Sequence, residues 1–190
     1  GSLRAAGSFS RETLSWTGSL SRARVETPAG IWSNQSAAPL RWDPKTVQLT
    51  IGTHCWMHED AQVGLPKPMV LGRAGEAHLA LKRLNIEVLK PYLRKKSDRI
   101  AGNLTGSADF YWDLEKNPMP AGQVNLNGDG LSYSTRWQGV RFPVTLEKLR
   151  AHALIAEKRI ALAWEIKPEG NGSSWGELAV IDPEKERRLD

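Results

Sequence analysis

Between Ile100 and Trp112 the chain alternates apolar and polar residues for thirteen positions without interruption. The even positions read Ile100, Gly102, Leu104, Gly106, Ala108, Phe110 and Trp112. The odd positions read Ala101, Asn103, Thr105, Ser107, Asp109 and Tyr111. On a helix this pattern would be smeared around every side. On a pleated strand it gives one dry face and one wet face. The segment is therefore expected to be a long strand, with its two glycines marking a bend or a close backbone approach.

The same period recurs along the chain. Leu14, Trp16 and Leu20 alternate with small polar residues, and Leu40 and Trp42 flank Arg41. Val47, Leu49 and Ile51 follow, then Gly75, Ala77, Leu79 and Leu81. Leu131, Tyr133 and Trp137 precede Val140, Phe142, Val144 and Leu146. Ile160, Leu162, Trp164 and Ile166 come after the turn-like Glu157-Lys158-Arg159, and Leu178 and Val180 end the series. Asn127-Gly128-Asp129-Gly130 reads as a turn or bulge between two such runs. Short alternating strands with polar connections predict an all-β, largely antiparallel sheet. One segment breaks the period. Ile86, Leu89 and Leu93 share a helical face, Asn85 can cap it, and Pro91 forbids a long helix, so a short helix is expected over 84–94. His54 to Pro68 carries Gly64, Pro66 and Pro68 with no clear period, and a long loop is expected there. Gly1-Ser2 reads as the remnant of an expression tag, and a chain of 190 residues fits one β-rich domain over 3–190.

A sheet with one dry face must hide it. One short helix cannot cover so many strands, so the sheet folds over itself. Two outcomes are open. It closes as a β-sandwich or barrel with a filled core, or it curls around an apolar groove that stays partly open. Gly102 and Gly106 remove volume from the dry face, and Ala77, Ala108, Ala161 and Ala163 keep the inward residues small. The chain has eight Trp, and Trp16, Trp42, Trp112, Trp137 and Trp164 lie in phase with the apolar face. They suit either core aromatics or groove rims.

Little points to chemistry. There is no Walker-type loop, no H-E-x-x-H and no G-x-S-x-G, and no catalytic residues, metal ligands or cofactor are assigned. His54-Cys55-Trp56-Met57-His58 is the nearest approach to a metal cluster, but no further ligand pair follows at a suitable spacing. The single Cys excludes a disulfide framework within the chain. No run approaches the ~20 apolar residues of a spanning helix, and none reads as a signal peptide. The net charge is +5, with one dense basic cluster from Lys90 to Arg99 and a short tail from Lys185 to Arg188. That is too little, without clustered exposed aromatics, to predict a nucleic-acid partner.

Several motifs resemble the TamB family of the AsmA-like superfamily, and in particular its C-terminal region. They are Trp16-x-Gly18-x-Leu20, Thr27-Pro28-Ala29-Gly30-Ile31-Trp32, His54-Cys55-Trp56 and Val63-x-Leu65-Pro66-Lys67. The helix ending Lys90-Pro91-Tyr92-Leu93 and the glycine-spaced run from Ile100 to Trp112 add to the likeness. The resemblance covers most of Leu14 to Val180. It implies a long curled sheet with an apolar concave groove, a taco-like form. It implies a periplasmic segment of an inner-membrane-anchored protein whose anchor lies elsewhere, working with a TamA-like outer-membrane barrel through regions outside this segment. The implied role is outer-membrane protein assembly, autotransporters included, or phospholipid transport, with acyl chains or unfolded polypeptide as cargo. In the family pattern a second Cys stands at about the position of Gly64. Its absence leaves Cys55 without the implied loop partner.

With that resemblance the groove reading leads. The residues expected to line it are Leu104, Ala108, Phe110, Trp112, Leu126, Leu131, Tyr133, Val144, Leu146, Ile160, Leu162, Trp164 and Leu178. The alternative is a non-catalytic docking module that pairs with partners through the open edges of the sheet.

Overall fold

The computed structural model describes residues 2–93, 98–156, 159–170 and 172–181. One antiparallel sheet of 14 strands accounts for nearly all of them. The strands are β1 (Ser2–Phe9), β2 (Trp16–Thr27), β3 (Gly30–Asn34), β4 (Ala38–Asp43), β5 (Gln48–Ile51), β6 (His54–His58) and β7 (Ala61–Leu65). They continue with β8 (Met69–Leu71), β9 (Ala74–Asn85), β10 (Arg99–Asp113), β11 (Asn117–Trp137), β12 (Val140–Ala156), β13 (Arg159–Pro168) and β14 (Ser174–Ile181).

The registers reduce this to a simple meander. β3 pairs with one half of β2, from Thr27↔Gly30 to Arg24↔Ser33, and β4 pairs with the other, from Leu20↔Ala38 to Trp16↔Trp42. β3 and β4 are thus one leg interrupted once. The same holds for β5 with β6, which pair along β4 and β3, and for β7 with β8, which pair along β6 and β5. β9 then runs along both β7 and β8. Each leg is bonded to the leg before it and the leg after it in sequence. Short turns make most of these connections, as expected for antiparallel neighbours, and the link from β9 to β10 carries a 3-10 helix.

The interruptions line up into a crease across the first half of the sheet. Arg22 adopts φ 51 within β2, a left-handed conformation that bulges the strand. Opposite it lie residues 35–37, then Gly52-Thr53, then Pro66-Lys67-Pro68, all outside the strands. The prolines have no N–H to give to a ladder. Side chains satisfy the backbone groups that the crease leaves over. Asn34 Oδ1 accepts from the Ala23 N–H at 2.6 Å, and Asn34 Nδ2 donates to the Ser36 carbonyl at 3.0 Å. His54 Nδ1 donates to the Gly52 carbonyl at 2.9 Å. The crease is also where burial is deepest in this half: Ala23, Ala38 and Leu65 are all buried.

From β10 onward the legs are long and unbroken. The Asn127-Gly128-Asp129-Gly130 signal is a bulge inside β11 and not a turn. Gly130 at φ 56 and Gly102 at φ 118 shift the register by one residue. A Cβ on Gly102 would stand 2.6 Å from the Gly130 carbonyl oxygen, so the two backbones meet where only glycine fits. The bulge moves the apolar phase of β11 from even positions, ending at Leu126, to odd positions, starting at Leu131. That keeps both on one face.

Several expectations are corrected here. The segment 54–68 is not a long loop: it forms β6 and β7, joined by a two-residue turn at 59–60, with 66–68 outside the strands. Val47 and Leu14 do not belong to strands. Both sit in turns with left-handed φ of 53 and 55. Ala161 and Ala163 do not face inward with Leu162, since they oppose Leu154 and His152 on the other face. The helix is a 3-10 helix, Ile86–Tyr92, with the Asn85 side chain accepting from the Glu87 N–H. Arg94, Lys95, Lys96, Glu157, Lys158 and the tail from Lys185 to Arg188 lie outside the described residues.

The sheet stays open as a curled single layer rather than closing as a sandwich. The chain exposes 13213 Å², whereas a compact monomer of 21.1 kDa would expose about 9,000 Å². Among the described residues no large side chain is fully buried. A sandwich of this length would bury many.

Candidate functional site

The registers turn the alternating strands into rows that run across the sheet. One row reads Trp56, Val63, Leu81, Gly106, Leu126, Ala151, Trp164 and Gly176, each paired directly with the next. Beside it run Leu79, Ala108, Val124, Ala153, Leu162 and Leu178, then Ala77, Phe110, Gly122, Ile155, Ile160 and Val180. Past the bulge, Leu131 pairs with Leu146, and Tyr133 with Ile100 on one side and Val144 on the other. Trp112 pairs with Gly75, and Leu104 with Gly128. All thirteen residues expected to line a groove therefore share one face of one sheet.

That face is uneven in exposure. Leu131 is buried beside the bulge, whereas Leu162 is 37% and Leu178 57% exposed. Tyr133, Val144 and Ile160 are also exposed. Leu104, Ala108, Phe110, Trp112, Leu126, Leu146 and Trp164 are half-buried. Trp56, Val63 and Leu81 belong to the same face and were missed as lining residues. In the His54–His58 run both phases carry apolar or ambiguous residues, so no alternation shows.

Aromatic rings on this face lie across cross-strand glycines. A Cβ on Gly176 would stand 2.3 Å from the Trp164 ring, one on Gly75 2.5 Å from Trp112, and one on Gly122 2.8 Å from Phe110. In each pair the glycine is the ring residue's direct cross-strand partner. Trp112 also donates its indole N–H to the Gly72 carbonyl at 3.0 Å, which ties β10 to the turn after β8. Gly75, Gly122 and Gly176 are not the glycines, Gly102 and Gly106, that the sequence offered as missing volume. They are beds for rings that shield apolar surface in a sheet with no second layer over it.

The opposite face is polar. His78, the buried polar residue of β9, donates from Nδ1 to Asp109 Oδ1 at 2.6 Å, and its Nε2 lies 3.6 Å from Glu76. Gln123 donates to the other Asp109 oxygen at 3.1 Å. The His78 hydrogen bond, and after it the Gln123 bond, hold the Asp109 carboxyl below the ordinary aspartate value. The Lys167 ammonium on Glu147 does the same for that carboxyl. A cavity of about 670 Å³ lies on this side, and Asn103, Thr105, Asn127 and Asp129 are among the residues that line it. The His-Cys-Trp motif divides between faces. His54, Trp56 and His58 alternate with Cys55 and Met57 along β6. Among the described residues no three His, Cys, Asp or Glu side chains converge on one point. Cys55 is a free thiol directly opposite Gly64, the position where the resemblance implies a partner.

The family model described as TamB, N-terminal domain, matches residues 1–190. A translocation and assembly module subunit TamB from Haemophilus influenzae is 27% identical over 183 residues, which is 96% of this chain. The chain spans 14% of that relative's length. No solved structure matches. The match to the N-terminal domain overturns the placement in the C-terminal region. The motifs behind that placement are strand, turn and face patterns. Such patterns fix which side of a sheet is dry but not where along a long protein the sheet lies.

Proposed function

From the premise that this chain belongs to the family of TamB N-terminal domains, we propose that its apolar face is a stretch of hydrophobic groove that shields apolar cargo. The family is one of translocation and assembly subunits and not of enzymes. The proposed setting is the periplasm, as part of a longer, inner-membrane-anchored protein that hands cargo toward an outer-membrane barrel of the TamA type. Among the described residues no helix is long and apolar enough to cross a membrane.

The observation that carries this reading is the registered, uncovered row from Trp56 to Gly176. Contact with such a wall offsets the cost of carrying an acyl chain through water by about 0.8 kcal/mol per CH₂. A run of similar sites with easy release suits passage better than one tight pocket. The row also favours acyl chains over polypeptide. Its residues are Leu, Val, Ala, Gly and two Trp, and the strand backbones beneath are committed to the ladder. A polypeptide lying there would leave its own N–H and C=O groups without partners, and a polymethylene chain has none to satisfy. Unfolded outer-membrane polypeptide is the second cargo. Edge pairing along β1 or β14 is the route by which it would dock.

The test is a charge on the open part of the face. Leu162→Glu or Leu178→Arg in the full-length protein is expected to leave the strand content by circular dichroism unchanged and to abolish cargo delivery. If either charge unfolds the domain, the face is a sealed core and the reading fails.

A further inference from the structure

The ring-on-glycine pairs differ in what holds the ring down. At Gly75 and Gly122 an added Cβ would meet backbone first, the Val70 carbonyl at 2.1 Å and the Asp109 carbonyl at 2.4 Å. Those glycines are required by the ladder itself. At Gly176 the three nearest atoms all belong to the Trp164 ring, at 2.3, 2.8 and 2.9 Å. The indole is what a Cβ there would meet first. Trp164 sits near the β14 end of the longest apolar row, between Ala151 and Gly176, and its side chain is half-buried. Its ring is therefore flush with the sheet because its cross-strand partner has no side chain.

We propose that Gly176 and Trp164 form a positioning pair that sets the height of the apolar face, and that this height governs whether an acyl chain can lie along the row. The proposal rests on the groove reading above and names the residues that tune it. A methyl group at 176 displaces the benzo edge of the indole and stands it up from the sheet. The row is then crossed by a raised ring in the path of any chain running from Leu126 toward β14. The strands themselves are untouched, since an alanine fits an ordinary φ and Gly176 is not in the left-handed region.

The experiment compares four forms of the full chain: the parent, Gly176→Ala, Trp164→Leu and the double variant. The probe is cis-parinaric acid, a fluorescent fatty acid, and circular dichroism checks strand content. The expected result is binding about tenfold weaker in Gly176→Ala, the equivalent of about 1.4 kcal/mol, and restored within about twofold in the double variant. Emission from Trp164, isolated by subtracting the Trp164→Leu chain from the parent and the double variant from Gly176→Ala, is expected to shift to longer wavelength in Gly176→Ala as the ring enters water. Where Gly176→Ala loses strand content, Trp164→Leu alone decides. Binding within about twofold of the parent supports the pair, and a tenfold loss shows the ring to be the contact surface itself and overturns it. Parent binding with an unchanged Gly176→Ala overturns the pair and leaves the groove reading standing. A parent chain that binds no probe overturns the groove reading, and the pair with it.

Discussion

The two halves of the sheet use the same alternation to different ends. From β2 to β8 each leg is broken once, and the breaks align into a crease sealed by Asn34, His54 and small buried residues. From β10 to β14 the legs run 8 to 21 residues without interruption and leave Leu162 and Leu178 exposed. The first half spends its apolar residues on bending the sheet. The second lays them out as a surface. A single-layer sheet is stable only if it has local substitutes for a core, and each half has found one: a sealed crease in the first, rings bedded on glycines in the second.

The sharpest way to break the comparison is to place one charge in each half. Leu65→Glu puts a carboxylate at a site 6% exposed and is expected to cost about 3 kcal/mol or more, visible as loss of the cooperative melt. Leu162→Glu, at 37% exposed, is expected to change stability by less than about 1 kcal/mol in the same urea titration. Equal costs would mean that both halves are core.

Asn34→Ala comes next. It strips the Ala23 N–H of its acceptor in the crease, and the expected cost is about 1–3 kcal/mol. The same change at Asn127, on the exposed wet face of β11, is expected to be nearly silent. The two melting curves measured side by side decide it.

Gly64→Cys sharpens the account of the crease. An ideal Cβ at 64 lies 2.9 Å from the Cys55 Cβ, so a small opening of the β6–β7 hairpin reaches disulfide geometry. The variant is expected to lose both free thiols under oxidation and to gain about 2 kcal/mol of stability that reductant removes. Thiols that stay titratable would show the two strands to be further apart.

The smallest effect is at acid pH. His78 and then Gln123 hold Asp109 below its ordinary value of 3.8, so the unfolded chain takes up that proton first as pH falls. The stabilisation is present above about pH 4 and is lost as pH drops through the folded value. His78→Asn is expected to flatten the decline in stability at the acid end, and an unchanged slope would remove Asp109 from the account.

The dry face was legible in the sequence because alternation is local: Leu104 to Trp112 declare their side without reference to any partner. The crease was not. Gln35–Ala37, Gly52-Thr53 and Pro66–Pro68 look like turns in isolation, and only pairing shows that the legs continue beyond them. Ala161 and Ala163 were placed inward because small residues carry no polarity to mark a side. Gly176 drew no reading from the sequence, since nothing in a one-dimensional pattern tells that it stands opposite Trp164. Register is a long-range property, and the candidate surface depends on it.

The central claim is that one face of this sheet, and not the other, meets apolar cargo. A photocrosslinking amino acid placed in turn at Phe110 and at its neighbour Tyr111, in the full-length protein in cells, tests it most directly. Position 110 lies on the apolar row between Ala77 and Gly122, and position 111 faces the other side, edge-on to His78. Capture of lipid at 110 and none at 111 is the expected result. Equal capture at both, or capture at 111 alone, would contradict it.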